Sequence, residues 1–148
     1  MLNMLFKLLI VAVLCCTALA SSCGGNCPGG NCDKCYCGSR KNKLSSSQIN
    51  SFCSGYNGWS KSCCKCIISK ESGGNSKAVG QNSRVSRAYK YDVGLLQINS
   101  FNWKACNKGK APCSLTSNRN CAKKVHRWGG NTWKLWSTCG KCGCCGRR

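Results

Sequence analysis

Residues 92–100 read Asp92-Val93-Gly94-Leu95-Leu96-Gln97-Ile98-Asn99-Ser100. Just upstream the side chains alternate. Tyr89, Tyr91 and Val93 fall on one face of an extended strand, and Lys90 and Asp92 on the other. Residues 85–93 therefore predict a small β-hairpin whose polar face carries Asp92. A polar setting keeps a carboxylate ionised.

Moving outward, residues 63–72 follow a different period. Cys64, Ile67, Ile68 and Glu71 stand at i, i+3, i+4 and i+7, one face of a helix that Gly73-Gly74 ends. That apolar stripe carries the only Glu of the chain. A carboxyl placed there loses hydration, and its pKa rises. A carboxyl still protonated near neutral pH can donate its proton to a leaving group. One raised carboxyl beside one ionised carboxyl is the division of labour in glycoside hydrolysis. Taken singly, each has a plainer reading: a helix-terminal Glu facing water, or an Asp at a strand end.

Scarcity sharpens the pair. The 148 residues hold 23 Lys+Arg but only 3 Asp+Glu, a net charge of +20. Asp33 is the third acid and lies in a cysteine-rich stretch outside this region. Carboxylate-rich metal cages such as an EF-hand are excluded. The length allows one domain with a small appendage. The charge predicts attraction to a polyanion: nucleic acid, anionic membrane or bacterial wall.

Glu71-Ser72-Gly73 followed by Asp92-Val93-Gly94-Leu95-Leu96-Gln97-Ile98-Asn99-Ser100 resembles the active-site signature of c-type lysozymes. The likeness extends to Asn120-Cys121-Ala122-Lys123-Lys124-Val125 and to Trp133-Lys134-Leu135-Trp136 before Cys139, covering roughly residues 48–139. Glu-Ser-Gly is shared with lytic transglycosylases; the Asp-containing run is the more specific part. Asn102-Trp103-Lys104-Ala105-Cys106 is similar to invertebrate-type lysozymes. The resemblance implies an α+β fold in which a helical lobe and a small β-hairpin lobe flank a cleft. It implies Glu71 as general acid and Asp92 as nucleophile or charge stabiliser. Gln97 and Asn99 would bind substrate, Trp133 would wall the acid's pocket, and Trp103 would offer a sugar-stacking platform. It also implies a Cys66–Cys139 disulfide. Cys106 and Cys113 are then available to each other, and Cys121 to an extension.

The remaining elements follow from local pattern. Leu44, Ile49, Phe52 and Cys53 suggest a short amphipathic helix capped by Ser45 or Ser46. Residues 106–116 form a loop. Residues 118–128 look helical, with Cys121, Ala122, Val125 and Trp128 inward, and Gly129-Gly130 as the stop. Trp59, Trp128 and Trp136 are assigned to the core. His126, the only histidine, follows a basic pair and is expected to face water.

The ends have their own logic. Residues 1–20 have Lys7, an apolar run from Leu8 to Cys16, and Ala18-Leu19-Ala20, the pattern of a cleaved secretory signal. The run is too short to span a bilayer. Its removal takes Cys15 and Cys16 and leaves sixteen cysteines, an even number that suits disulfides in an oxidising compartment. Residues 21–43 form a cysteine-rich extension that cannot bury a core of its own. Cys32-x-x-Cys35-x-Cys37 also fits zinc, but secretion favours disulfides. Residues 44–148 form the catalytic domain, ending in a second knot of Cys139, Cys142, Cys144 and Cys145.

The expectation is a secreted, bacteriolytic muramidase, or one in the lumen of a secretory, phagosomal or lysosomal compartment. Its partner is peptidoglycan, with no nucleic acid, no stable membrane anchor, no metal and no cofactor, and it acts as a monomer. Two rivals stand beside it. One is a lytic transglycosylase using Glu71 alone. The other is a non-enzymatic cationic antimicrobial or sugar-binding protein.

Overall fold

The computed structural model describes residues 23–147, so the expected signal segment lies outside the described residues. Helix α1 (Ser46–Ser54) begins at a capping box. Ser45 Oγ accepts from the Gln48 amide while the Gln48 side chain accepts from the Ser45 amide. Helix α2 (Lys61–Glu71) is capped by Ser60 and buries Cys63, Cys64, Ile67 and Ile68. Each such Ile contributes about 1.5–3 kcal/mol by leaving water. Cys53–Cys64 fastens α1 to α2.

The β lobe is a three-stranded antiparallel sheet in the order β1 (Val79–Gln81), β2 (Tyr91–Val93), β3 (Ile98–Asn99). Tyr91 and Val93 are buried and Asp92 faces the other way, as alternation requires. The strand is shorter than expected, because Arg87–Tyr89 form a 3-10 turn that leaves Tyr89 exposed. Between β2 and β3, Gly94 has φ +78, and a Cβ there would stand 2.2 Å from Nδ2 of Asn118. Only glycine fits.

Asn118 belongs to α4 (Leu115–Trp128), which follows the short α3 (Trp103–Asn107). It is fully buried and satisfied: its Oδ1 accepts from the Leu96 amide, and its Nδ2 donates to Val93 O and Pro112 O. One side chain thus locks the Asp92 loop onto the helical lobe. Two expectations on α4 are corrected. Trp128 is 52% exposed, because it is the last helical residue and extends past the packed face. His126 is fully buried between Trp59 and Trp133, with ring centroids 5.9 and 5.2 Å away.

All sixteen cysteines from Cys23 to Cys145 are paired, in eight disulfides. The partners differ from those expected. Cys66 bonds Cys142, not Cys139, and Cys63 bonds Cys144. Cys63 and Cys66 are one turn apart on α2, so the tail staples both rungs, and Cys139 closes on Cys145 instead. Cys106 bonds Cys121 because α3 packs on α4, and it is Cys113 that joins the extension, through Cys37.

The extension is tied by Cys23–Cys35 and Cys27–Cys32 and covers the free edge of β1. The Val79 amide donates to Asn26 O, and Asn31 Nδ2 donates to Gln81 O. An edge strand that would otherwise present open backbone groups is closed. Among the described residues no helix is long and apolar enough to cross a membrane.

Candidate active site

Glu71 is the last residue of α2, and Asp92 is the middle residue of β2. Both open into one cleft of about 320 Å³, together with Gln97, Ile98, Asn99 and Asn102 on the β side and Val125, Leu135, Trp136 and Ser137 on the helical side. The amphipathic period of α2 turns Glu71 toward the interior, and Ser72-Gly73-Gly74 then breaks the helix and releases the chain toward β1. The strand alternation of β2 turns Asp92 into the same space.

Burial pushes the Glu71 carboxyl above its ordinary value of 4.5; a hydrogen bond from Thr138 opposes this and the charge of Asp92 adds to it. Thr138 Oγ1 donates to Glu71 Oε1 at 2.6 Å. Burial also raises Asp92 above 3.8, where a polar strand face predicts an ordinary ionised group. Asn99 works against that rise. It stands opposite Asp92 across the β2–β3 pair, and its Nδ2 donates to Asp92 Oδ1 at 2.9 Å. Each carboxyl is thus raised by burial and held down by one donor side chain, Thr138 for Glu71 and Asn99 for Asp92, and the charge of Asp92 adds a further rise on Glu71.

Four residues bore a substrate-binding expectation. Gln97 and Asn99 do line the cleft. Gln97 sits at φ +44 with its side-chain amide turned onto the carbonyls of Ala78 and Gly94. Trp133 does not line it. It is wholly buried against Trp59, His126 and Trp136. The wall is made by Trp136, three residues on, whose Nε1 donates to Leu96 O at 2.9 Å. Trp103 is also a core residue, 6% exposed, with Nε1 on Ile98 O and its ring against Tyr36. Asn102, Val125, Leu135, Ser137 and the Thr138 donor were not anticipated. The i, i+3 spacing of Trp133 and Trp136 puts both indoles inward, and only packing decides which of them meets the cleft.

The cysteines of the 32–37 run are each in a disulfide, so that run is a covalent knot.

A helix ending in a half-buried glutamate, a three-stranded lobe presenting an aspartate, and a cleft between them define a lysozyme-like α+β domain. The chain belongs to the family described as the transglycosylase SLT domain, whose model matches residues 52–125. The match runs from α1 into α4 and includes Glu71 and Asp92. It makes the protein a peptidoglycan-cleaving enzyme of the lysozyme-like superfamily. No curated protein and no solved structure matches the chain significantly. The pairing of every cysteine among the described residues suggests an extracellular or secretory environment.

Proposed function

We propose that the protein is a secreted muramidase that hydrolyses the β-1,4 bond between N-acetylmuramic acid and N-acetylglucosamine. The observation that carries this reading is the pairing of Glu71 with Asp92 in one cleft, in a chain with a single further acid. Glu71 protonates the leaving glycosidic oxygen. Asp92 stabilises or captures the oxocarbenium-like sugar, and Glu71 then activates water, with net retention at the anomeric carbon. Gln97 and Asn99 orient the sugar, and Leu135 and Trp136 give it an apolar wall. Residues 44–148 are the catalytic unit and 21–43 an appended module. The chain acts as a monomer, drawn to the anionic wall by its charge.

The family match favours a second reading, a lytic transglycosylase in which Glu71 alone acts and the muramyl 6-hydroxyl replaces water. Digestion of purified peptidoglycan, read by mass spectrometry, separates them. Hydrolysis gives reducing ends that have taken up water; transglycosylation gives 1,6-anhydro ends, which would sink the muramidase reading. Glu71→Gln should abolish cleavage and Asp92→Asn should cut it by about 10²-fold or more. Bacterial killing that survives Glu71→Gln undiminished would point to a non-enzymatic cationic protein.

A further inference from the structure

A second concavity, of about 520 Å³, opens where the extension meets the β1–β2 connection. Asp33, Lys34 and Tyr36 come from the extension, and Ser83, Arg87 and Lys90 from the connection. Tyr91 forms part of its floor, while the next residue, Asp92, faces the catalytic cleft. Successive side chains of a strand point to opposite faces, so this concavity lies on the reverse side of the sheet.

Its charge is arranged, not merely positive. Asp33 is the only acid lining it, and its carboxylate is already engaged. Lys90 Nζ pairs with Oδ2 at 2.5 Å, and the Tyr91 hydroxyl donates to Oδ1. These bonds hold Asp33 below its ordinary value of 3.8. Lys90–Asp33 is the one ion pair among the described residues, so Lys34 and Arg87 line the space without a direct ion pair, although the charge of Lys34 also helps hold Asp33 ionised. Tyr36 is held in place by edge-on contacts to Tyr91 and Trp103, at 4.7 and 5.0 Å. The Cys37–Cys113 disulfide fixes the extension against the body.

We propose that this concavity is a binding site for a phosphodiester-linked wall polymer, built jointly by the extension and the β lobe. Lys34 comes from the extension and Arg87 from the β1–β2 connection, and the same concavity is lined by two hydroxyl-bearing residues, Tyr36 and Ser83. A tetrahedral oxyanion takes donors from several directions, whereas a carboxylate takes them in one plane. A phosphodiester also stays ionised at any pH at which the enzyme folds. Because the site is on the back of the sheet, the polymer and a glycan in the cleft can be held at once. The identity of the polymer rests on the peptidoglycan reading; the anion site does not.

The test is calorimetric titration of the full oxidised chain with soluble poly(glycerol phosphate) at 0.15 M salt. Lys34→Ser with Arg87→Ser should weaken binding by about tenfold or more. Lys61→Ser with Lys65→Ser is the charge-matched control on α2, where exposed charges beyond about 8 Å are screened. That control should lose less than about threefold. Absence of binding, or an equal loss in both double variants, overturns the site. Competition by polyglutamate as strong as by the phosphate polymer overturns the phosphate preference, and stronger competition by single-stranded DNA overturns the wall-polymer assignment. No glycan cleavage is read, so failure here is distinct from failure of the muramidase reading.

Discussion

The hydroxyl of Thr138 donates to Oε1 of Glu71 at 2.6 Å, which links the segment before the C-terminal knot to the proposed catalytic acid. A donor to a carboxylate favours the ionised form, so this bond holds down a pKa that burial holds up. Thr138→Val removes the donor and keeps the shape. Glu71 should then retain its proton to higher pH, and the alkaline limb of the pH–activity profile should move up. An unmoved limb in wall-lysis assays would show that the bond does not tune the acid.

Asn99 plays the same part for Asp92 from the neighbouring strand. With Asn99→Ala the carboxylate loses its donor, burial acts unopposed, and Asp92 ionises at higher pH. The acid limb should rise while the alkaline limb stays, which narrows the profile. Turnover at the optimum should fall by about 10-fold or more. Movement of the alkaline limb instead would reassign which acid each limb reports.

What the sequence made legible is what local period decides. The 3.6-residue stripe of α2 is enough to put Glu71 on an inward helix face and the alternation of β2 to put Asp92 on the other strand face, Ser45 is readable with Ser46 as a cap, and the meeting of the two acids in one cleft comes only from the family resemblance. What stayed hidden depends on packing between distant segments. Trp133 and Trp136 share one face of a short turn, and nothing local tells which indole is core and which is cleft wall. Cys66 bonds Cys142 while Cys63, one turn earlier on α2, bonds Cys144, and no local pattern separates these partners from Cys139. His126 follows a basic pair in the sequence, yet the helix turns it inward between two indoles. Asp33, which seemed remote, lies beside β2 because the extension folds back over the sheet edge.

Burial of ionisable groups should leave two opposed marks on stability. Glu71 and Asp92 are raised in the fold, so the native state binds more protons than the unfolded chain between about pH 4 and the folded values. Stability from this source is full below the unfolded values and falls as pH rises through the folded ones. Glu71→Gln or Asp92→Asn should therefore stabilise the protein at pH 7, and by less at pH 4. Denaturant titrations at the two pH values measure this. A variant less stable than wild type at pH 7 contradicts it.

His126 acts in the other direction. Burial holds its imidazole below the ordinary 6.5, so the native state binds fewer protons than the unfolded chain in that window. Stability is full above pH 6.5 and lost as pH falls toward the folded value. As the only histidine, it can be isolated. His126→Phe keeps a ring between Trp59 and Trp133 and should flatten the stability profile between pH 5 and 7. A slope unchanged from wild type would remove His126 as its source.

The Cys66–Cys142 bridge closes a sequence separation of 76 residues and joins the helix that carries Glu71 to the tail that follows Thr138. In the chain-entropy model a loop of that length restrains the unfolded state by about 4–5 kcal/mol. The nested Cys63–Cys144 bridge, spanning 81 residues, restrains much of the same loop. Replacing both Cys66 and Cys142 by Ala should therefore cost less than that, about 1–3 kcal/mol, and leave the chain folded. The sharper consequence is local. With the nearer staple gone, the tail loses its hold about one and a half turns from Glu71, and Thr138 is no longer fixed against the carboxylate. The double variant should reproduce the alkaline-limb shift of Thr138→Val, and adding Thr138→Val to it should shift the limb little further. Additive shifts would show that the disulfide and the hydroxyl act on Glu71 independently.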